Sequence, residues 1–496
     1  MNQYNDASIS EINQVMDAAK YAAPIMRKLS LSKRAELMNA IADGLEQSGD
    51  ELLAVVMGET NLPDARVRGE RGRTIFQLRS YAKACAKGDW LEASIDTAIP
   101  DKVPAKPDIR KMLVPLGPVV VFGSSNFPFA YSTAGGDTAS ALAAGCPVIV
   151  KAHPAHPQTS QLVADIIHKA VESVGLPKGV FSHVHGSSFE VGKALVMHPH
   201  TKAVGFTGSY SGGKALYDMA NQRKEPIPVF SEMGSVNPVF LLTEKLAADP
   251  TSIATNYAGS ITLGVGQFCT NPGLIIGIKS DALDQFISSL ATQIGNIPPG
   301  KMLHPGIVKA YVEKRAEALA QQGVTLIAAS ATEASPDQGV PTIATTSGAV
   351  FLKNNQLHQE VFGPYSLVVQ CDDAAEMLAV AHQIEGQLTA TIMATDNDIN
   401  THVDIFDAVV EKCGRMILNG VPTGVEVCLS MHHGGPFPST TDSRFTSVGA
   451  DAIKRFARPM SFQNFADHFL PLELQNSNPL GINRTLNDEL SKQAVS

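Results

Sequence analysis

Three side chains in the sequence combine a nucleophile, a base and a neutral hydrogen-bond donor. Cys269 lies in the segment GQFCTNPG, where an accessible loop thiol can act as a nucleophile. Glu232 follows the apolar run IPVF and is a candidate general base, although a solvated cap is the commoner role of a lone acid there. Asn126 offers an N–H donor for an oxyanion, unless it only makes a turn. Together these groups fit oxidation of an aldehyde through a covalent thioester.

A second segment is a candidate nucleotide cradle. Gly208 and Ser209 precede a helix-like stretch, so backbone N–H groups and the positive end of a helix dipole can face a phosphate there. A plain strand-to-helix turn explains the same residues at least as well. The first strand is not followed by a G-x-G-x-x-G fingerprint, which argues against an ordinary Rossmann site but not against nucleotide binding.

Hydrophobic patterning predicts the elements that position these residues. Short β-branched runs alternate with helix-like stretches from VPLGPVVVFG to IPVFSEMG, and a second series runs from about residue 237 to RMILNG. This alternation predicts an α/β chain with two doubly wound parallel-sheet domains. A helical layer is expected over residues 10–60, with Ser32 as an N-cap. Ligands bind beyond the carboxyl ends of such strands, where Lys151 and Glu232 occur.

Composition excludes several classes of protein. The 496 residues carry a formal charge of −9 without a basic stripe, which argues against a nucleic-acid partner. The chain has no apolar run long enough to span a membrane, and its first thirty residues lack the apolar core of a signal peptide. The six cysteines form no C-x-x-C pair, so disulfides and structural zinc are not expected. These features predict a cytoplasmic protein without a membrane partner.

At these residues the sequence resembles the aldehyde dehydrogenase superfamily. The matching segments occur in the family's order, and chance agreement of all of them is very improbable. They are Pro115-Leu116-Gly117-Pro118, Asn126-Phe127-Pro128, Val150-Lys151, Phe206-Thr207-Gly208-Ser209, Glu232-Met233-Gly234, Gly266-Gln267-Phe268-Cys269 and Gln359-Glu360-Val361-Phe362-Gly363-Pro364.

The resemblance implies a role for each matching residue. Cys269 is expected to attack the aldehyde carbon, while the Asn126 side chain and the Cys269 backbone N–H hold the oxyanion. Hydride then passes to a nicotinamide, and Glu232 activates the water that hydrolyses the thioester to a carboxylic acid. Glu360 is expected to hold the nicotinamide ribose, with Phe362 near that ring.

The resemblance also bears on the choice of cofactor. Lys151 is expected at the adenine-side ribose, with Gly208 and Ser209 at the pyrophosphate. Family members that prefer NAD commonly carry a Glu three residues after this Lys, and Pro154 stands there instead. We therefore expect NADP to be preferred, with NAD as the alternative cofactor, and Lys151 and His153 near the 2′-phosphate. Alternatively, HPAHP is only a stiff loop; no metal is expected, because its histidines lack an acidic or thiol partner.

The closing segments, GPFP, TSVG and RFARP, resemble a branch of the family that oxidises α-ketoglutaric semialdehyde (2,5-dioxovalerate) or, with NADP, fatty aldehydes. The expected reaction is conversion of the semialdehyde to 2-oxoglutarate. The distal carboxylate then needs a cationic anchor. Arg71, Arg73 and Arg79 are candidates, and Arg73 is the choice among them, although a solvated helix face is the commoner role for each one taken alone. Two rivals stay open: a medium- or long-chain fatty aldehyde dehydrogenase, and a catalytically silent protein on the same fold.

The resemblance further implies a domain organisation and an assembly. The cofactor-binding domain is expected at residues 1–91 and 112–234, and the catalytic domain at 235–432. Residues 92–111 and 455–496 are expected to form a small β bridging region for oligomers, and 433–454 a return segment to the cofactor domain. Closed symmetry makes a homodimer or homotetramer the expected assembly.

Overall fold

The structure is a computed structural model that describes residues 4–495. A five-stranded parallel sheet organises the first half of the chain, and its strand Val119–Phe122 is buried along its whole length because helices cover both faces. In spatial order its strands are Phe181–Val184, Val148–Lys151, Val119–Phe122, Ala203–Thr207 and Val229–Glu232. The helices of this half are Ile9–Arg27, Leu31–Gln47, Gly49–Thr60, Asp64–Lys87, Gly136–Ala144, Pro157–Ser173, Phe189–Met197 and Tyr210–Asn221.

A seven-stranded sheet organises the second half. In spatial order its strands are Thr325–Ala329, Thr342–Ser347, Tyr365–Cys371, Leu274–Ile278, Val239–Leu241, Gln387–Met393 and Cys413–Leu418. The helices are Thr243–Ala248, Pro250–Thr262, Asp281–Asn296, Pro305–Leu319, Gly348–Lys353, Ala374–Gln383, Asp396–Thr401 and Val403–Val410. The predicted fold class, two α/β domains with parallel sheets, is confirmed.

Two details of this second sheet differ from the prediction. Its edge strand Thr325–Ala329 runs antiparallel to Thr342–Ser347, whereas every other neighbouring pair is parallel. Neither of these two strands was predicted from the sequence. Thr342–Ser347 reads TIATTS, and its threonines hide the apolar signal although most of the strand is buried.

A third, smaller sheet joins distant parts of the sequence. Its strands in spatial order are Ala457–Gln463, Ile109–Pro115, Ser94–Asp96, Arg484–Leu486 and Glu489–Ser491. The strand Ile109–Pro115 continues past residue 111, where the bridging region was predicted to end, because its whole length pairs with Ala457–Gln463. A further pair, Gly300–Lys301 with Gln338–Gly339, lies apart from the three larger sheets.

The helical layer predicted over residues 10–60 consists of three helices, and a fourth, Asp64–Lys87, follows it. The second of them begins at Leu31 rather than after Ser32, because the Ser30 side chain accepts a hydrogen bond from Lys33 N. Within residues 4–495, no helix combines the length and the apolar character needed to cross a membrane.

A buried ion pair ties the C-terminal part of the chain to the first sheet domain. Arg455 Nη2 lies 2.7 Å from Asp137 Oδ1, and both side chains are almost fully buried. Arg455 also contacts Ser140 Oγ at 3.3 Å, so two residues of the helix Gly136–Ala144 hold the guanidinium. Removing one partner of such a pair leaves an uncompensated charge in the interior.

We expect Asp137→Ala to lower the free energy of unfolding by about 3 to 5 kcal/mol, because Arg455 loses its buried partner. Lys33→Ala is the control, since Lys33 and Glu36 form an exposed pair that contributes less than about 1 kcal/mol. Urea titration followed by circular dichroism measures both changes. Equal stabilities of the two variants would contradict this assignment.

Candidate active site

The three residues singled out by their chemistry come together where the two large sheets meet. Glu232 is the last residue of the strand Val229–Glu232 and is buried. Cys269 lies in the loop before the strand Leu274–Ile278 and is partly exposed. Asn126 follows the strand Val119–Phe122, so each sheet contributes through a loop or strand end.

A histidine that the sequence did not single out connects the thiol to the carboxylate. His433 Nε2 lies 3.6 Å from Cys269 Sγ and 3.0 Å from Glu232 Oε1. The second carboxylate oxygen of Glu232 accepts a hydrogen bond of 2.9 Å from Ser447 Oγ. The buried carboxylate is therefore held from both sides, and the thiol lies next to it.

The segment that supplies His433 and Ser447 lies along the end of the first sheet. Met233 N donates to Ser439 O, and Glu232 forms an isolated bridge with Thr440. One sequence feature could have indicated this contribution: His432 and His433 directly precede the glycines of GGPFP. Spacing alone did not relate them to Glu232, which lies about 200 residues earlier.

Backbone contacts fix the loop that carries Cys269. Asn237 Nδ2 donates to Cys269 O at 2.8 Å and to Asn271 O at 2.9 Å. Gly266 has a φ of 65°, and a Cβ there would lie 2.3 Å from the backbone of Gly363. Only glycine fits this close approach without displacing backbone, so the thiol is presented in one defined position.

Asn126 lies against the same loop. Its side-chain Nδ2 donates to Gln267 O at 3.2 Å, two residues before the thiol. A primary amide has a second N–H, which leaves a donor for a ligand oxygen beside Cys269.

Burial dominates the electrostatics of the thiol. It raises the pKa of Cys269 well above its usual range, and the Glu232 carboxylate raises that pKa further. Burial also raises the pKa of Glu232, but His433 and hydrogen bonds from Ser447 and Cys269 outweigh it and leave that pKa below its usual value. At neutral pH the resting pair is a protonated thiol beside an ionised carboxylate.

Aromatic rings and a cation line one side of the thiol loop. The Arg66 guanidinium lies 4.5 Å from the centre of the Phe127 ring and 5.4 Å from that of Phe268. The buried Glu70 carboxylate pairs with Arg66 at 2.7 Å and accepts the backbone N–H groups of Phe129 and Ala130. The helix Asp64–Lys87 is thereby fixed against the loop after Asn126.

Of the three arginines proposed to bind a substrate carboxylate, only Arg73 lies against an aromatic ring near the thiol. Arg73 lies over the Tyr131 ring at 5.4 Å, and its Nη1 is buried without a hydrogen-bond partner. Arg71 instead donates to Gly49 O, and Arg79 pairs with Glu46 and Asp43 on the surface. These two residues are on the outer face of the helix, where the alternative of a solvated surface applies.

A second arginine, which the sequence analysis did not identify, has a similarly unpartnered nitrogen. Arg415 in the strand Cys413–Leu418 donates to Pro422 O and Gly424 O, and its buried Nε has no hydrogen-bond partner. Cys269 and Tyr131 are among the charged or ionisable neighbours of this guanidinium.

The residues expected at the adenine-side ribose lie at the end of the strand Val148–Lys151. Burial lowers the pKa of Lys151. It also lowers the pKa of His153 well below its usual value, together with His156 and His304, whose rings lie 5.5 and 5.9 Å away. His153 is therefore neutral at pH 7 in this arrangement, and Lys151 is the cation beside it.

The residues expected at the pyrophosphate and the nicotinamide ribose also fit a dinucleotide. Ser209 caps the helix Tyr210–Asn221, whose N-terminal N–H groups can face a phosphate. A Cβ at Gly208 would lie 2.7 Å from the Phe206 ring, so this turn requires glycine. Glu360 and Phe362 line one cleft with Phe268, next to the thiol. The Glu360 carboxylate accepts only a long hydrogen bond, 3.4 Å from Ser235 N, and burial raises its pKa to about 8. Such a carboxyl suits a ligand hydroxyl.

Potential metal ligands occur away from the histidines at residues 153 and 156. Within residues 4–495, one group of three such side chains brings its ligand atoms within 4.8 Å of one another. Its members are Glu232, Cys269 and His433. The absence of a metal from the HPAHP segment stays a prediction.

The sequence is similar to those of known proteins. Residues 1–460 match the model of the aldehyde dehydrogenase family. The chain is 48% identical over 479 residues to alpha-ketoglutaric semialdehyde dehydrogenase 2 of Azospirillum brasilense, covering 96% of this chain and 91% of the relative. It is 44% identical over 491 residues to alpha-ketoglutaric semialdehyde dehydrogenase of Acinetobacter baylyi, covering 99% and 93%.

Solved structures agree on the fold. Methylmalonate-semialdehyde dehydrogenase of Oceanimonas doudoroffii superposes with a TM-score of 0.78 at 20% identity, covering 94% of this chain and 92% of that one. A 1-pyrroline-5-carboxylate dehydrogenase gives 0.77 at 22% identity, covering 92% and 86%. The match to the family model over nearly the whole length, together with the two relatives above 40% identity, shows that this chain belongs to the aldehyde dehydrogenase family, whose members oxidise aldehydes with NAD(P).

Proposed function

We propose that the chain oxidises α-ketoglutaric semialdehyde to 2-oxoglutarate, with NADP as the preferred cofactor. The observation that carries the chemistry is the contact of Cys269 with His433 at 3.6 Å, and of His433 with the buried Glu232 at 3.0 Å. The observation that favours this substrate is the similarity to two relatives that bear this activity in their names.

Cys269 is the proposed nucleophile. Its thiol releases a proton to solvent, the resulting thiolate attacks the aldehyde carbon, and the Asn126 amide and the Cys269 backbone N–H hold the oxyanion. NADP, when bound, supplies a hydride acceptor, which leaves the acyl group on the sulfur as a thioester.

Glu232 is the proposed base for hydrolysis of that thioester. Its ionised carboxylate takes a proton from water, and the hydroxide adds to the acyl carbon to release the acid and the thiol. His433 and Ser447 are positioning residues, because each holds one oxygen of the carboxylate. Asn237 positions the thiol by holding Cys269 O.

A carboxylate on the substrate matches the charges beside the thiol. Arg73 carries a buried Nη1 without a partner, and a buried donor left unpaired costs about 1 to 3 kcal/mol. A carboxylate oxygen of the semialdehyde would satisfy that donor. The second candidate substrate is a medium- or long-chain fatty aldehyde, because the rings of Phe127, Tyr131 and Phe268 offer apolar surface to an alkyl chain. A silent protein fits poorly, since thiol, base and amide donor are assembled together.

Lys151 is the proposed ligand of the NADP 2′-phosphate. Pro154 stands three residues later and is exposed, so that position presents no carboxylate to repel a phosphate. Glu360 and Phe362 are proposed at the nicotinamide ribose, and Gly208 and Ser209 at the pyrophosphate, with His153 as a neutral neighbour of Lys151.

The proposed assembly is a homodimer or homotetramer formed through the bridging regions, 92–111 and 455–496. Large apolar side chains lie exposed there: Phe469 is 71% and Leu490 75% accessible. The proposed cofactor domain is 1–91 with 112–234, the catalytic domain 235–432, and the return segment 433–454.

The proposed location is the cytoplasm. All six cysteines are free, which fits its reducing conditions.

The raised pKa of Cys269 predicts its reactivity. Alkylation by iodoacetamide should be slow at pH 7 and should accelerate as the pH rises, because only the thiolate reacts. Glu232→Gln removes a negative charge next to the sulfur, so we expect the profile to shift to lower pH. Mass spectrometry of the Cys269 peptide, in a Cys428→Ser background that removes the exposed thiol, measures the rate. A slower reaction in Glu232→Gln at pH 7 would show instead that the carboxylate removes the thiol proton at rest.

The carboxylate anchor predicts a change in substrate preference. Arg73→Ala should lower kcat/KM for the semialdehyde by about 10- to 100-fold and leave that for hexanal nearly unchanged, since a charged hydrogen bond contributes about 1.5 to 3 kcal/mol. Arg79→Ala is the matched control on the same helix, because Arg79 pairs on the surface. Initial rates with both aldehydes decide the matter. An equal loss for the two aldehydes would remove Arg73 as the anchor, and a wild-type preference for hexanal would favour the fatty-aldehyde function.

The charge of Lys151 predicts the choice of cofactor. We expect kcat/KM to be higher for NADP than for NAD, and Lys151→Ala to lower the value for NADP by about 10- to 100-fold through loss of a charged hydrogen bond. His153→Gln should leave the ratio nearly unchanged at pH 7, because burial keeps this imidazole neutral. Initial rates with each cofactor give the ratio, and a wild-type preference for NAD would refute the assignment.

A further inference from the structure

Three side chains at the reactive thiol have the donor atoms that zinc binds. Cys269 offers a sulfur, His433 an imidazole nitrogen and Glu232 a carboxylate oxygen, all within 4.8 Å of one another. Zinc sites with three protein ligands and one open position use this kind of donor set.

The distances between the donor atoms suit a tetrahedral ion. Zinc bonds of about 2.3 Å to sulfur and about 2.0 Å to nitrogen separate the two donors by about 3.5 Å. Cys269 Sγ and His433 Nε2 lie 3.6 Å apart. The carboxylate oxygen Glu232 Oε1 lies 3.0 Å from that nitrogen, where tetrahedral bonds require about 3.3 Å. All three donor atoms lie within 4.8 Å of one another, so the carboxylate must also move toward the sulfur, to about 3.5 Å, when the ion binds.

The surroundings support such a set of ligands. Ser447 Oγ donates to the other oxygen of Glu232 and so orients the carboxylate, as hydrogen bonds to the ligating side chains do in metal sites. Asn237 fixes the backbone carbonyl of Cys269, so the sulfur cannot move far from the histidine. A thiolate and a carboxylate together carry two negative charges in a buried place, and a divalent cation neutralises both.

We propose that Cys269, His433 and Glu232 form a zinc-binding site, and that one Zn²⁺ ion bound there reversibly inhibits the enzyme. The binding follows from the donor geometry alone. The inhibition rests on the proposed roles of Cys269 as nucleophile and Glu232 as base, because the ion occupies the lone pairs that both roles require.

Zinc binding changes the protonation of Cys269 and His433. The thiol of Cys269 loses its proton to solvent when the sulfur binds the ion. The nitrogen His433 Nε2 must present a lone pair, so a proton it carries at rest moves to Nδ1 through solvent. Water fills the fourth position. The bond changes are the four bonds to the ion, the loss of the Cys269 proton and the transfer of the His433 proton between its ring nitrogens; all are reversible, so a chelator restores the thiol.

Equilibrium dialysis of the full-length protein against ZnCl₂ tests the binding without any substrate or cofactor. We expect one tightly bound Zn²⁺ per chain in a Cys428→Ser background, which removes the exposed thiol as a competing ligand. Cys269→Ala and His433→Phe should each weaken zinc binding by about 100-fold or more. Loss of a residue that only hydrogen-bonds to a metal ligand already lowers metal affinity by about 10- to 100-fold. Ser447→Ala should show that smaller loss. Circular dichroism checks that each variant is folded.

A second measurement identifies the bound atom. Stoichiometric Zn²⁺ should protect Cys269 from iodoacetamide, EDTA should restore alkylation, and Mg²⁺ at the same concentration should not protect, because it prefers oxygen ligands. Undiminished zinc binding in both Cys269→Ala and His433→Phe, or the absence of stoichiometric binding, would overturn the site. Binding and protection without a parallel loss of turnover would overturn the inhibition and, with it, the role of Cys269 as nucleophile.

Discussion

The contact between Glu232 and His433 is the constraint on which the site depends. One partner ends a strand of the five-stranded sheet, and the other lies in a segment that returns to that strand after the seven-stranded sheet is complete. The carboxylate is buried, so it requires hydrogen bonds on both oxygens, and it receives them from His433 and Ser447. Cys269 comes from the second sheet and meets this pair. The reactive group therefore exists only when both halves of the chain have folded against each other.

Burial gives the same residues both stability and reactivity. It raises the pKa of Cys269 and so holds the thiol protonated at neutral pH. At Glu232, His433 and the hydrogen bonds to the carboxylate outweigh the effect of burial and keep the group ionised. Away from the thiol, the buried Arg455 is paired with Asp137. Buried donor nitrogens without a hydrogen-bond partner also occur on Arg34 and Trp90. Those of Arg73 and Arg415 lie near the thiol, where they offer donors to an anionic ligand.

Much of the fold was predictable because parallel strands buried on both faces read as continuous apolar runs. VVVF and VIVK mark their strands without ambiguity. The prediction failed where the pattern is weak. TIATTS is a buried strand whose threonines imitate a loop, and the antiparallel edge strand beside it has no run of its own. The N-cap shifted from Ser32 to Ser30 because adjacent serines offer equivalent side chains and only packing selects one.

The sequence alone determined the chemical types of the site: a loop thiol, an acid at a strand end and an amide donor, in an order that resembles one family. Pro154 in place of an acid supports the proposed preference for NADP. The tertiary structure decided which other groups join them. His433 and Ser447 lie about 200 residues from Glu232, and Arg73 differs from Arg71 and Arg79 only in the face of the helix it occupies. Such partners cannot be predicted from the neighbouring residues in the sequence, because they are selected by the packing of segments that are distant along the chain.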